Sequence, residues 1–220
     1  MHMTFLLYEG VEPVDLAAIG VVSMARRVIP GLSYEAVSFD RAPVTLANGL
    51  QVLPARSFDE VREVDVLLVP GGPGWRAAAG DPRVLDFVRR VAPAALVCSV
   101  CTGAMILAAA GVLDGLRATT KFEVVPPETS PLAELQQRHP AIHAEPALVV
   151  DSGRVVTGGG VTLCIDATLH LLEKRFGKAA AAEVARIMEY GAAREANRLR
   201  FAATSRTLDF SKVVQWETSI

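Results

Sequence analysis

Residues 94 to 111 read AALVCSVCTGAMILAAAG, an apolar run that passes through Ser99-Val100-Cys101-Thr102-Gly103 directly into small, helix-forming residues. No other stretch limits the possible folds so strongly. A buried strand that becomes a helix over so few residues needs a sharp elbow, and the side chain at the elbow projects from the end of a sheet. Cys101 occupies that place. A thiol at a helix N-terminus meets free backbone N–H groups and the positive end of the dipole, which favours the thiolate. The same residue also reads as a buried core cysteine, a common fate of free thiols, and the local pattern leaves both readings open.

The rest of the chain repeats the alternation. Thr4 to Tyr8, Tyr34 to Phe39, Asp65 to Val69 and Ala94 to Cys98 are short apolar runs, read as strands buried on both faces. Helical patterns follow several of them, from Pro13 to about Val28, from Asp81-Pro82 to about Val91, and over Gly103 to Ala110. Asn48-Gly49 and Asp151-Ser152-Gly153 mark hairpins. A strand over Arg117 to Lys121 and a helix over Pro131 to Arg138 are expected. Gly158-Gly159-Gly160 leads into a long apolar helix to about Arg175, which Gly177 breaks before another over Lys178 to Tyr190. The pattern predicts an α/β fold. It is a single-domain, flavodoxin-like sandwich with a mainly parallel central sheet, helices on both faces and the nucleophile elbow at Cys101. Residues 1–191 form this domain. Residues 192–220 read as a mixed tail, packed on the domain or at an oligomer interface, with apolar-polar alternation around Val213-Val214-Trp216.

Acidic and basic residues, 24 and 22 of them, are interspersed and leave a net charge of −2, so the basic footprint of a nucleic-acid binder is absent. Three cysteines are too few for a disulfide framework. With no basic, apolar leader at Met1 to Tyr8 and no apolar run of transmembrane length, a reducing cytoplasm is the expected compartment, and no membrane partner is expected.

SVCTGAMILAAAGVLDGLRATT resembles the nucleophile region of the ThiJ/PfpI superfamily, whose fold is of the class I glutamine amidotransferase type. More narrowly, it is similar to the isocyanide hydratases and to the N-terminal domains of certain AraC-type regulators. FLLYEGVEPVDL resembles that family's first strand and acidic loop. DVLLVPGGPG resembles the strand and Gly-Gly turn facing the nucleophile, and VVTGGGVTLCIDATLHLLE the late glycine-rich turn and helix. The four segments occur in the family's order and span residues 4 to 173. The resemblance implies that Cys101 is the nucleophile. It also implies that Asp15 stands beside Cys101 as proton donor and acceptor. From its position alone Asp15 is an ordinary acid in a first helical turn. Gly72 matches the second glycine of the Gly-Gly turn. Its N–H and that of Thr102 would face charge developing on the substrate, while positive φ alone also accounts for a Gly-Gly turn. The Thr102 hydroxyl would reach the thiolate or the substrate. Gly158 to Gly160 lacks the G-x-G-x-x-G spacing of a phosphate loop and predicts close backbone approach near the site.

The sequence also departs from the family. Many relatives place a histidine after the Thr-Thr pair, but here Thr119-Thr120 leads to Lys121. Without that histidine there is no ready Cys–His dyad, and protease and amidotransferase readings lose their base. Lys121 either modulates charge at the thiol or is simply solvated. Ala18-Ile19 replaces a Gly-Pro pair, and the hydratases' proline-rich segment is missing after Glu189-Tyr190. His139 and His143 have helical spacing, but Pro140 between them argues against a metal site.

The expected function is therefore a cysteine-dependent, cofactor-free hydro-lyase, free of metal and nucleotide. It would convert isocyanides to N-formamides through a thioimidate on Cys101. Two alternatives stand beside it: a glyoxalase-like activity on 2-oxoaldehydes, and a non-enzymatic redox or ligand sensor. AraC-type regulators carry a helix-turn-helix module, for which the residues after Tyr190 are too few, so the expected partner is a small electrophilic substrate rather than DNA. Superfamily relatives commonly dimerise, so the resemblance implies a homodimer.

Overall fold

The computed structural model describes residues 1–204. The strands are β1 (His2–Leu6), β2 (Ser33–Ser38), β3 (Val44–Thr45), β4 (Gln51–Val52), β5 (Arg56–Ser57), β6 (Val66–Val69), β7 (Leu96–Ser99), β8 (Arg117–Ala118), β9 (His143–Ala144), β10 (Val149–Asp151) and β11 (Val155–Gly158). The helices are α1 (Ala17–Ala25), α2 (Trp75–Ala78), α3 (Pro82–Val91), α4 (Gly103–Ala109), α5 (Pro131–Arg138), α6 (Cys164–Phe176), α7 (Lys178–Ile187) and α8 (Gly191–Thr204).

Seven strands form one sheet in the order β10-β11-β7-β6-β1-β2-β5. Every pairing in it is parallel except β10 with β11. The central strands are buried on both faces, as their unbroken apolar runs predict. Because side chains alternate across a strand, they divide between two cores. Leu67 and Val69 of β6 join Phe87 of α3 and Met105 and Leu107 of α4 on one face. Val66 and Leu68 join Val21 of α1, Leu172 of α6 and Val184 of α7 on the other. This is the flavodoxin-like sandwich expected from the alternation. In such sheets, sites gather at the carboxyl ends of the strands, where the turns after β1, β6, β7 and β11 lie side by side. Among the described residues no helix is long and apolar enough to cross a membrane.

Three sequence expectations are corrected. The helix expected from Pro13 begins only at Ala17, because residues 13–16 make tight i→i+3 turns in which Leu16 N–H donates to Pro13 O at 3.2 Å and Ala17 N–H to Val14 O at 3.0 Å. The strand expected over Arg117 to Lys121 stops after Ala118, since Thr119 turns its N–H sideways to Thr157 Oγ1 at 2.8 Å. The mixed tail contains the regular helix α8. Its anchors are on α6, where Glu173 accepts from Arg194 at 2.7 Å and Asp166 accepts from Asn197 at 2.8 Å. Arg206 and the alternation around Val213-Val214-Trp216 lie outside the described residues.

Candidate active site

Cys101 follows β7 and precedes α4, and its backbone takes φ +51°. That left-handed conformation is rare for a residue with a side chain, and observed outliers of this kind cluster at functional sites. The elbow is tight because glycines stand where the backbones packed around it come closest. A Cβ on Gly103 would fall 2.1 Å from the Val69 carbonyl oxygen, and one on Gly71 would fall 2.4 Å from the Thr102 nitrogen. Gly160 provides the close approach expected of the glycine run, since a Cβ there would lie 2.8 Å from Cys101 Sγ.

Asp15 is fully buried at 0 % exposure, and Cys101 is 3 % exposed. Asp15 Oδ2 accepts from Gly71 N–H at 2.6 Å, whereas its buried Oδ1 has no hydrogen-bond partner among the described residues. Burial raises the Asp15 pKa to about 7, with Glu12 adding to the rise; the Gly71 N–H, Cys101 and Lys121 pull the other way. The two side chains thus sense each other directly. Burial, then the Asp15 charge, push the Cys101 thiol up to about 12, against smaller lowering by the Thr102 N–H, Lys121 and the Thr102 hydroxyl. This corrects the expectation of a free thiolate at a helix N-terminus. Desolvation outweighs the dipole, and the thiol holds its proton while Asp15 is ionised. Each group shifts the other's pKa, so their titrations are coupled.

Thr102 is buried, and its Oγ1 accepts from Gly72 N–H at 3.0 Å. The Gly72 N–H, expected to face substrate charge, is therefore engaged by that hydroxyl; Gly72 does border the cavity over Cys101. Lys121 borders the cavity too, and its ammonium donates to the Glu123 carbonyl. Its charge lowers the pKa of both Asp15 and Cys101. The cavity has a volume of about 440 Å³ and opens above Cys101 and Thr102, ample for a small organic substrate. Cys98 and Cys164 are also buried, and burial raises both thiols further than that of Cys101. His139 and His143 fall either side of the turn between α5 and β9.

Sequence reasoning did not assign several parts of this site. Trp75 and Arg76 form one cavity wall, with the Arg76 guanidinium stacked 4.3 Å from the Trp75 ring centroid. Buried Glu134 clamps Arg76 through hydrogen bonds of 2.6 and 2.7 Å and also accepts from Arg138 at 2.8 Å. Glu12 and Glu128 bring carboxylates to the cavity lining. Tyr8 donates to the Pro70 carbonyl at 2.9 Å, pinning the turn after β6. The Arg76–Glu134 and Tyr8–Pro70 contacts have no local sequence signature, since each joins residues far apart in the chain.

A family model described as the DJ-1/PfpI family matches residues 1–174. Over 196 residues the chain is 35% identical to an isonitrile hydratase of Pseudomonas putida, covering 88% of this chain and 80% of that protein. It is 28% identical to the HTH-type transcriptional regulator GbdR of Pseudomonas aeruginosa, covering 84% of this chain and 50% of the regulator, so it spans about half of that protein's length. A ThiJ/PfpI family protein from Pseudomonas syringae superimposes with a TM-score of 0.74 at 29% identity, over 86% of this chain and 74% of the other. Drosophila melanogaster DJ-1beta shares the fold with a TM-score of 0.71 at 22% identity, over 85% and 96% of the two chains.

Proposed function

The chain belongs to the DJ-1/PfpI family, and from that premise we propose that it is a cofactor-free hydratase converting isocyanides to N-formamides on Cys101. The observation that carries the reading is the buried Asp15–Cys101 pair beneath a cavity, with a carboxyl whose pKa stands near 7. Such a group exchanges protons readily at neutral pH, as general acid–base catalysis requires. It supplies what a histidine would otherwise provide. The identity to an isonitrile hydratase over most of both chains supports the same reaction.

The steps balance without a redox partner. As Cys101 Sγ bonds to the isocyanide carbon, the thiol proton passes to the Asp15 carboxylate. Asp15 returns that proton to the same carbon, giving a thioimidate, S–CH=N–R. Water then adds across the C=N bond, its hydroxyl to carbon and a proton to nitrogen, with Asp15 relaying protons. The C–S bond breaks as the carbon-bound hydroxyl becomes the carbonyl, its proton passing through Asp15 to sulfur, and R–NH–CHO leaves. One water is consumed. The Thr102 N–H and hydroxyl favour charge on sulfur in the first and last steps, and Gly72 N–H orients that hydroxyl.

The test is a side-by-side turnover assay with an aryl isocyanide and methylglyoxal, reading N-formamide and lactate respectively. Formamide production that Cys101→Ala abolishes is the expected result. Turnover of methylglyoxal alone would favour the glyoxalase reading, and turnover of neither would favour a non-enzymatic sensor.

A further inference from the structure

Cys101 presents its sulfur to the cavity from the left-handed conformation described above, and such a strained backbone must be held by its surroundings. Its two backbone polar groups are both tethered. The N–H donates to the Gly159 carbonyl at 3.1 Å, and the carbonyl accepts from the Thr120 hydroxyl at 2.7 Å. Thr120 is fully buried. Its neighbour Thr119 is in turn fixed to β11, donating its N–H to Thr157 Oγ1 at 2.8 Å. The elbow is thus gripped from the segments after β8 and β11, on the carbonyl side by a side chain and on the amide side by backbone.

We propose that Thr120 is a positioning residue for the nucleophile: its hydroxyl, by holding the Cys101 carbonyl, keeps the strained backbone that sets Sγ against Asp15. The inference rests on Cys101 being the reacting group, not on which electrophile it meets. Without the hydroxyl the Cys101 carbonyl is a buried acceptor with no donor. The residue is then drawn toward an ordinary backbone conformation, swinging Cα–Cβ away from its present direction. A displacement of this kind lowers reactivity without emptying the site, because small misplacements of reacting groups are costly.

The experiment compares Thr120→Val, which keeps the shape and loses the hydroxyl, with Thr120→Ser, which keeps the hydroxyl. Two readouts are taken per folded molecule: the rate and pH profile of Cys101 alkylation by iodoacetamide, and kcat and KM on an aryl isocyanide. Thr120→Val is expected to slow alkylation and lower kcat by about tenfold or more, with KM moving far less, and to shift the alkylation pH profile. Thr120→Ser is expected to restore all of these. If Thr120→Val does not fold, Thr120→Ala makes the same deletion without added bulk. Wild-type alkylation rate and profile in the hydroxyl-free variant would overturn the proposal, as would failure of serine to rescue. Since alkylation needs no substrate, a wild-type protein inert toward isocyanides would refute the hydratase reading while leaving this arm decisive.

Discussion

Replacing Asp15 by Asn is expected to change how stability depends on pH. The carboxyl titrates near 7 in the folded chain against an ordinary value of 3.8. Between those values the folded state binds a proton that the unfolded state has released, so stability falls as pH rises through this window. The shift is about three units, and at about 1.4 kcal/mol per unit it comes to about 4 kcal/mol of destabilisation, fully developed above pH 7 and absent below pH 4. Asn removes that slope. Its carbonyl can still accept from Gly71 N–H, but its NH₂ inherits the place of Oδ1, which has no partner among the described residues. An unsatisfied buried amide costs about 1–3 kcal/mol at every pH. The variant should therefore be the less stable form at pH 4 and the equal or more stable form at pH 8. The pH-independent cost cancels when the two pH values are compared. Urea or thermal unfolding of both proteins at each pH measures the change. A swing of about 4 kcal/mol in the variant's favour is expected, equivalent to roughly 10 °C in relative Tm for a chain of this size. Parallel stability curves would refute the raised Asp15 pKa and remove the basis for its acid–base role.

The same variant should lose turnover by about a hundredfold or more, the low end for deleting a general acid–base group, while Cys101 remains alkylatable; near-normal turnover would point instead to Lys121 or solvent. In the wild type, kcat/KM should rise as pH climbs through about 7, where the pair loses its first proton, and a flat profile there would contradict proton sharing with Asp15. Brief iodoacetamide labelling read by mass spectrometry should modify Cys101 before Cys98 or Cys164, since only Cys101 borders the cavity and its thiol is raised least; early labelling of Cys164 would count against this. Gly160→Ala would set a methyl 2.8 Å from Sγ and 3.0 Å from Lys121 Cβ, so turnover should fall by about tenfold or more, and the melting temperature should fall too because the crowded site is buried.

How much of this was legible in the sequence depended on whether the cause was local. The elbow was, because a buried strand, a small-residue turn and a helix follow one another within residues 94–111. So were the hairpins at Asn48-Gly49 and around Gly153, which pair as β3–β4 and β10–β11. The Pro131 to Arg138 helix was also read with its observed limits. What escaped was set by distant partners. α8 looked like a mixed tail because its arginines and asparagine make sense only opposite Glu173 and Asp166 on α6. The Thr119-Thr120 pair drew notice for the histidine that does not follow it. Its actual contacts are sideways, to Thr157 and to the Cys101 carbonyl. The dipole argument for a thiolate also failed locally, because burial and the neighbouring Asp15 charge come from elements that no reading of residues 94–111 contains.

The tether on the Cys101 amide carries a consequence for the growing chain. Cys101 leaves the ribosome well before Gly159, whose carbonyl accepts its N–H, and before β11, which completes the parallel pairing beside β7. A nascent chain arrested between Thr120 and Val155 already holds Asp15, Gly71, Gly72, Cys101, Thr102 and Thr120. It lacks the late segment that closes the elbow from the amide side. In such a chain the Cys101 N–H has no Gly159 carbonyl to donate to, and the left-handed backbone loses its amide-side tether. The geometry that sets Sγ beside Asp15 is therefore complete only once Gly159 has been made and β11 has paired with β7.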